Sequence, residues 1–263
     1  MIAAMASSIS RSRRRSVDVE QQAPTAYAAE FIGTFLLVAF IGLVLSVQSP
    51  GGLGYREFAV VGLLHAFVLT MLIATLGGAS GAHFNPAVTI TLAALRKISP
   101  VDAAVYIAVQ LAGAVAAALV VKAMLVDPAD AVNYGATGVN DKFVSGNGGA
   151  FVAELLGTFV LMWAIMGMAV NPRGDRNWAP YVIGATLGFA VMALGPITGA
   201  GLNPARAFGP ALVGNEFGGA GTFLFVYVLG PIVGALLAGV AYSAIVLRPQ
   251  GFGEGVRPID KLD

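Results

Sequence analysis

The chain has no cysteine and very little charge. Without a thiol there is no disulfide framework, no thiolate metal site and no cysteine redox chemistry. Charged residues make up 11% of its 263 positions, whereas a soluble domain carries roughly 25% to furnish a surface for water. This chain cannot supply such a surface, so most of it is expected to face lipid. The formal net charge of +1 is too small to suggest a nucleic-acid partner. No metal cluster and no plausible catalytic triad can be assembled from the residues present. An enzyme is therefore not expected, nor a cofactor. What the chain has instead is apolar length: 57% of its residues are hydrophobic, and mean hydropathy is +0.80.

The N-terminus does not read as a secretory signal. Its basic run, Arg11, Arg13, Arg14 and Arg15, leads into the polar Ser16–Gln22 and not into an apolar stretch with a small-residue cleavage site. A solvated cytoplasmic tail is the plain reading, and a patch for anionic lipid the sharper one.

A bilayer core about 30 Å thick needs about 20 helical residues at ~1.5 Å each. Six stretches qualify: about Ala26–Val47, Phe58–Leu76, Val101–Leu125, Phe151–Val170, Ala179–Leu194 and Phe223–Leu247. The fifth is short and runs into Gly195-Pro196, and the stretch Val126–Gly149 is too irregular to assign. Two further apolar pieces, Asn85–Leu95 and Asn203–Val213, reach roughly 16 Å, half a bilayer. Each opens on Asn-Pro, so they read as half-helices. Placing the N-terminus in the cytoplasm puts eleven lysines and arginines inside and four outside, so both termini are expected there.

The two halves repeat. Glu30-Phe-Ile-Gly-Thr-Phe in the first span answers Glu154-Leu-Leu-Gly-Thr-Phe in the fourth, and Asn85-Pro86-Ala87 answers Asn203-Pro204-Ala205. Three spans per half is an odd number, so the second half must enter the membrane inverted. Inverted repeats with broken helices place their site near the midplane, where the copies meet. The fold expected is all-α: six transmembrane helices plus two re-entrant half-helices in an inverted repeat.

Asparagine is a favoured N-cap and proline a favoured first helical residue. The side-chain oxygen of Asn85 or Asn203 can accept from its own helix's exposed N–H groups, which leaves the amide NH2 free to point into a pore. The small Ala87 and Ala205 let the two helix ends approach. Each donor is then backed by roughly +0.5 of helix macrodipole charge. A water meeting both must offer its oxygen and turn its hydrogens outward, which breaks a proton wire at that point. One such triplet could be a mere capped turn; two, at matching places in a repeat, argue otherwise.

The motifs Ser80-Gly-Ala-His-Phe-Asn-Pro-Ala-Val-Thr89 and Gly199-Ala-Gly-Leu-Asn-Pro-Ala-Arg206 resemble the paired signature loops of the aquaporin family. The resemblance covers about residues 25–247, with repeats at about 25–125 and 150–247. Residues 1–24 and 248–263 are left as cytoplasmic tails. It implies a passive channel for water and other small neutral solutes, assembled as a homotetramer in the lipid bilayer, in the cell membrane. It also implies a four-residue constriction, His65, Val191, Ala200 and Arg206. Two ladders of pore-lining carbonyls follow: Gly81, Ala82, His83 and Phe84, and Gly199, Ala200, Gly201 and Leu202. The constriction set looks most like that of plant vacuolar-membrane aquaporins, several of which also pass ammonia or urea. Against a glycerol facilitator, Ala207 and Ala211 stand where those carry an acid and a base, and Tyr227 resembles the water-channel aromatic. Gly195-Pro196-Ile-Thr-Gly is closer to the facilitator pattern.

A charged guanidinium near the midplane is expensive, so Arg206 should face a pore or a partner. His65 could be a satisfied structural histidine, but its register with the family constriction argues for the pore; His83 reads as mainly structural. Glu30 and Glu154, buried in apolar spans, are functional candidates by default. Proton coupling, as in a transporter, is the bold reading. Bracing of the polar loop beside each half-helix is the plain one, and Gln110 in the third span has the same plain reading. The alternatives to a water channel are thus a glycerol facilitator and, behind it, a proton-coupled transporter.

Overall fold

A computed structural model describes residues 23–48, 53–125 and 130–251; both expected tails lie largely outside them. Six helices are long and apolar enough to cross a membrane. They are α1 (Pro24–Gln48), α2 (Tyr55–Ser80), α4 (Pro100–Met124), α5 (Gly146–Val170), α6 (Ala179–Thr198) and α8 (Ala220–Gln250). The two short ones, α3 (Pro86–Ala94) and α7 (Pro204–Gly214), follow α2 and α6. No strand occurs among the described residues.

Helix contacts repeat in register. α1 packs on α2 and α4 as α5 packs on α6 and α8. α4 lies against α7 as α8 lies against α3, and α2 meets α6 across the pseudo-two-fold. The exposed side chains are largely apolar (Phe67, Val101, Val152, Phe189, Leu237 and Ile245 among them), as lipid-facing surface should be. Polar residues are instead buried in the middle: Glu30, Thr34, Gln110, Glu154, Thr158 and Thr198 are wholly inside.

Local chemistry sets most helix starts. Ser99 caps α4, its Oγ accepting from Asp102 N at 3.0 Å, with Pro100 as first helical residue. Gly54 N donates to Glu57 Oε2 at 2.8 Å at the start of α2. Repeat two departs from plain α-helix in three places: Met166–Val170 ends α5 with π-helical pairing, and Phe223–Leu229 and Ser243–Leu247 interrupt α8 the same way.

Two sequence expectations need correction. Pro196 does not end the fifth span, because α6 continues to Thr198. A proline costs a helix its own N–H and crowds the preceding turn, but the last carbonyls here are satisfied from outside. Asn140 Nδ2 donates to Pro196 O at 3.1 Å and Asn140 N to Ile197 O at 2.9 Å. The stretch that looked too irregular to assign supplies that cap. It also holds a 3-10 turn, Asn133–Gly135, and the first turn of α5, which begins at Gly146 and not near Phe151.

Candidate functional site

The asparagine caps form as their chemistry dictates. Asn85 Oδ1 accepts from Ala87 N at 2.9 Å, and Asn203 Oδ1 accepts from Ala205 N at 3.0 Å and Arg206 N at 3.2 Å. Pro86 and Pro204 open their helices, and Ala87 and Ala205 are fully buried between them.

The amides are not wholly free, however. Asn85 Nδ2 donates to Leu202 O at 2.9 Å, and Asn203 Nδ2 donates to Phe84 O at 2.7 Å. Each asparagine thus reaches across to the loop of the other repeat with one hydrogen and keeps the second. This corrects the expectation of two unengaged amides. Phe84 O and Leu202 O, both expected in the carbonyl ladders, each spend one lone pair on this link between the repeats. The remaining carbonyls, those of Gly81, Ala82 and His83 and of Gly199, Ala200 and Gly201, take no protein donor among the described residues.

The loops are strained in the same way. Ala82 (φ 52°), Phe84 (47°), Ala200 (46°) and Leu202 (50°) all adopt the left-handed region that side chains resist. Two carboxylates hold them there. Glu30 Oε1 accepts from Ser80 Oγ at 2.6 Å and His83 N at 2.9 Å; its Oε2 accepts from Phe84 N and Gln110 Nε2, both at 2.7 Å. Glu154 Oε1 accepts from Thr198 Oγ1 at 2.7 Å and Gly201 N at 2.9 Å, and its Oε2 from Leu202 N at 2.6 Å. With their oxygens taken up by donors, both carboxylates act as braces. Tyr106 Oη to Ser80 O and Tyr227 Oη to Thr198 O, each 2.9 Å, close the two loops alike.

Phe84 and Leu202 point away from the loops into notches in α1 and α5. A Cβ on Gly33 would stand 2.1 Å from Phe84 Cε1, and one on Gly157 would stand 2.4 Å from Leu202 Cδ2. Sequence reasoning matched these glycines as part of the repeat but missed what they do. Ser80/Thr198 and Tyr106/Tyr227 were missed as partners too, although their corresponding places in the repeat were a usable signal.

Repeat one carries polar groups that repeat two lacks. Thr89 Oγ1 donates its one hydrogen to Asn85 O at 3.0 Å and accepts from Gln110 Nε2 at 3.1 Å. His83 Nδ1, also 3.1 Å from Thr89 Oγ1, must then be the donor in that contact. His83 is accordingly a member of the brace, its ring set edge-on to Tyr106 at 5.1 Å.

The four residues expected at the constriction are all buried in the interior: His65 2%, Val191 1%, Ala200 1% and Arg206 3% exposed. Arg206 is on the first turn of α7, and its Nη1 donates to Gly135 O at 2.8 Å. No carboxylate among the described residues pairs with it directly. His65 Nδ1 lies 2.7 Å from Val61 O and donates to it, so Nε2 of the neutral ring is an acceptor. His65 Nε2 and Arg206 Nε are both buried without a protein partner among the described residues. Unpaired polar atoms at such depth are costly unless something small and polar meets them. A cavity of about 170 Å³, bordered by Leu45, Phe58, Gly135, Asn140 and Pro196, leads to Arg206 from the end where α1 finishes and α2 begins.

The chain matches the model of the major intrinsic protein family over residues 18–242. It is 39% identical over 236 residues to "Aquaporin AqpM" of Methanothermobacter thermautotrophicus, covering 82% of this chain and 94% of the relative. It is also 39% identical over 226 residues to "Glycerol uptake facilitator protein-like 6" of Lactiplantibacillus plantarum, covering 85% and 98%. Nodulin-26 of Glycine max is 35% identical over 217 residues, 82% of this chain and 76% of the relative. Among solved structures, the aquaglyceroporin from Plasmodium falciparum superposes with a TM-score of 0.72 at 23% identity, over 86% of this chain and 97% of that one, a likeness of fold. With six membrane-length helices and a family match across nearly all of its length, this chain is a multi-pass membrane protein of the major intrinsic protein family, the family of the aquaporins.

Proposed function

We propose that the protein is a passive channel for water and other small neutral solutes, ammonia and urea among them, that excludes ions and protons. The observation that carries this reading is the pair of crossed asparagine bonds, Asn85 to Leu202 O and Asn203 to Phe84 O. They bring the positive ends of α3 and α7 together at one point, each with roughly +0.5 of macrodipole charge and one amide hydrogen still to give. A water there accepts from both and cannot pass a proton along the file. The orphaned His65 Nε2 and Arg206 Nε supply an acceptor and a donor at a second station, where the guanidinium charge opposes cations. The six free carbonyls of the two strained loops are acceptors for the solute file on either side of the asparagines.

The organisation that goes with this reading is a channel domain over residues 25–247 with short cytoplasmic tails, both termini inside, in the plasma membrane, assembled as a homotetramer. Eleven of fifteen basic residues on the cytoplasmic side support the orientation. The relative named as a glycerol facilitator-like protein keeps glycerol as the second reading.

Stopped-flow light scattering on proteoliposomes tests it, with water, glycerol, urea and ammonia compared at one protein density. Fast water flux of low activation energy without ion conductance is expected. Water flux no greater than that of empty liposomes would refute the channel reading, and glycerol flux above that of water would move the protein to the second one.

The absence of cysteine gives a sharper test of where the constriction lies. Mercuric ion binds thiolate, and the chain has none, so the wild-type flux should be insensitive to mercuric chloride. Ala200→Cys introduces one thiol on the strained loop beside Arg206. Mercury should then cut water flux at least about tenfold, as a plug at a single-file site must, and a reducing agent should restore it. A variant that conducts, binds mercury and keeps its flux would take Ala200 out of the constriction.

A further inference from the structure

The turn Asn133–Gly135, in the segment that joins the repeats, holds three consecutive residues with positive φ: 46° at Asn133, 57° at Tyr134 and 91° at Gly135. Asparagine and glycine tolerate that region. A bulky tyrosine does not, because its Cβ crowds the backbone carbonyl. Such strain lasts only where the surroundings over-determine it, and it is a pointer to function.

Here the surroundings are explicit. The Tyr134 ring is buried against Val121 and Leu125 of the α4 end and Leu43 of α1. Its hydroxyl donates to Asp130 Oδ1 at 2.8 Å, and Lys122 Nζ lies 5.1 Å from the ring centroid. The neighbouring residues are wedged just as closely. A Cβ on Gly135 would come within 3.1 Å of Gly42 Cα in α1, and one on Gly214, the last residue of α7, within 3.1 Å of Asn133 Cβ. The turn is thus gripped by α1, α4 and α7 together.

What the strain achieves is the direction of one carbonyl. Gly135 O accepts from Arg206 Nη1 at 2.8 Å, while Arg206 Nε has no protein partner among the described residues. A residue in an ordinary region at position 134 would turn the next carbonyl elsewhere. We propose that the Asn133–Gly135 turn, anchored by Tyr134, is a strut that fixes where the Arg206 guanidinium stands, and that Tyr134 is thereby a positioning residue for solute selection. The inference rests on the reading of Arg206 as a constriction residue. It adds a determinant from a segment that belongs to neither signature loop.

A merely structural tyrosine, once lost, would lower stability and slow every solute alike. A positioning residue shifts the ranking. The measurement is therefore the urea-to-water permeability ratio in proteoliposomes, for wild type, Tyr134→Ala, Arg206→Val and the double variant. Tyr134→Ala frees the guanidinium to swing aside and should raise the ratio about threefold, in the range of coupling between residues of one network. In the Arg206→Val background the same change should shift it no further. An equal shift in both backgrounds, or a folded Tyr134→Ala with the wild-type ratio, overturns the strut. If Arg206→Val is itself without effect on the ratio, the constriction reading falls and the strut with it. If Arg206→Val acts and Tyr134→Ala does not, the strut alone falls. Should Tyr134→Ala fail to fold, Asp130→Ala decides, because it removes only an exposed carboxylate and leaves the ring in place. It should raise the ratio in the same direction by about half as much or less, and an unchanged ratio overturns the proposal.

Discussion

Glu154→Ala is expected to abolish conduction, because it removes the brace that holds the second loop in its strained form. The carboxylate takes the Thr198 hydroxyl and the Gly201 and Leu202 amides, all buried. Each group left unsatisfied costs about 1–3 kcal/mol, so the loss is about 5 kcal/mol, comparable with the whole stability margin of many proteins. The left-handed residues Ala200 and Leu202 would relax, since Leu202 N loses its acceptor and Ala200 N donates at 3.2 Å to the Thr198 Oγ1 that Glu154 itself orients. Glu154→Gln separates bracing from proton coupling. The amide keeps one acceptor oxygen for Thr198 and Gly201 and sets its NH2 against Leu202 N–H, a loss of about 1–3 kcal/mol. It should therefore melt earlier in detergent but still pass water, with no proton movement accompanying solute in either form. A Glu154→Ala protein with the wild-type melting temperature and flux would remove the brace from the account. Proton-coupled uptake lost in Glu154→Gln would establish the transporter in its place.

Arg206→Val is expected to leak cations and protons while continuing to pass water. The guanidinium is a permanent charge in the interior with no carboxylate paired to it among the described residues, so its field falls on whatever enters. A unit charge acting at ~4 Å through an effective dielectric near 20 is worth about 4 kcal/mol, so the leak should rise on the order of a hundredfold or more. The two helix ends at Asn85 and Asn203 remain, so exclusion should weaken without vanishing. Arg206→Lys keeps the charge and loses the planar fork, and should stay ion-tight with an altered solute ranking. Ion conductance across planar bilayers, read beside water flux in vesicles, checks both. An ion-tight Arg206→Val would leave the helix ends as the whole barrier.

Much of this architecture was legible in the residue order. Apolar runs of membrane length identify helices because lipid offers the backbone no other partner. The pair Asn-Pro ahead of two half-length runs identifies capped helix starts, since both residues act within their own first turn. The repeat of Glu30 in Glu154 and of Asn85 in Asn203 made the inverted symmetry readable without coordinates. By the same reasoning the burial of Arg206 and of both glutamates followed from their place in apolar sequence.

Local chemistry alone could not decide what depends on distant partners. Pro196 looked like a helix end and is not one, because Asn140 caps the carbonyls beyond it. The asparagine amides looked free and are half engaged, because Phe84 O and Leu202 O come from the opposite repeat. The stretch around Tyr134 looked too irregular to assign, since its left-handed turn is wedged against Val121 and Gly42 from distant helices, with the Asp130 carboxylate as its nearby partner. Periodicity and capping act within a turn or two of the chain, so the sequence by itself determined the helices, their starts and their symmetry. Where carbonyls point, which strained residues survive and where Arg206 stands are set by bonds between segments far apart in the chain, and only the tertiary structure decides them.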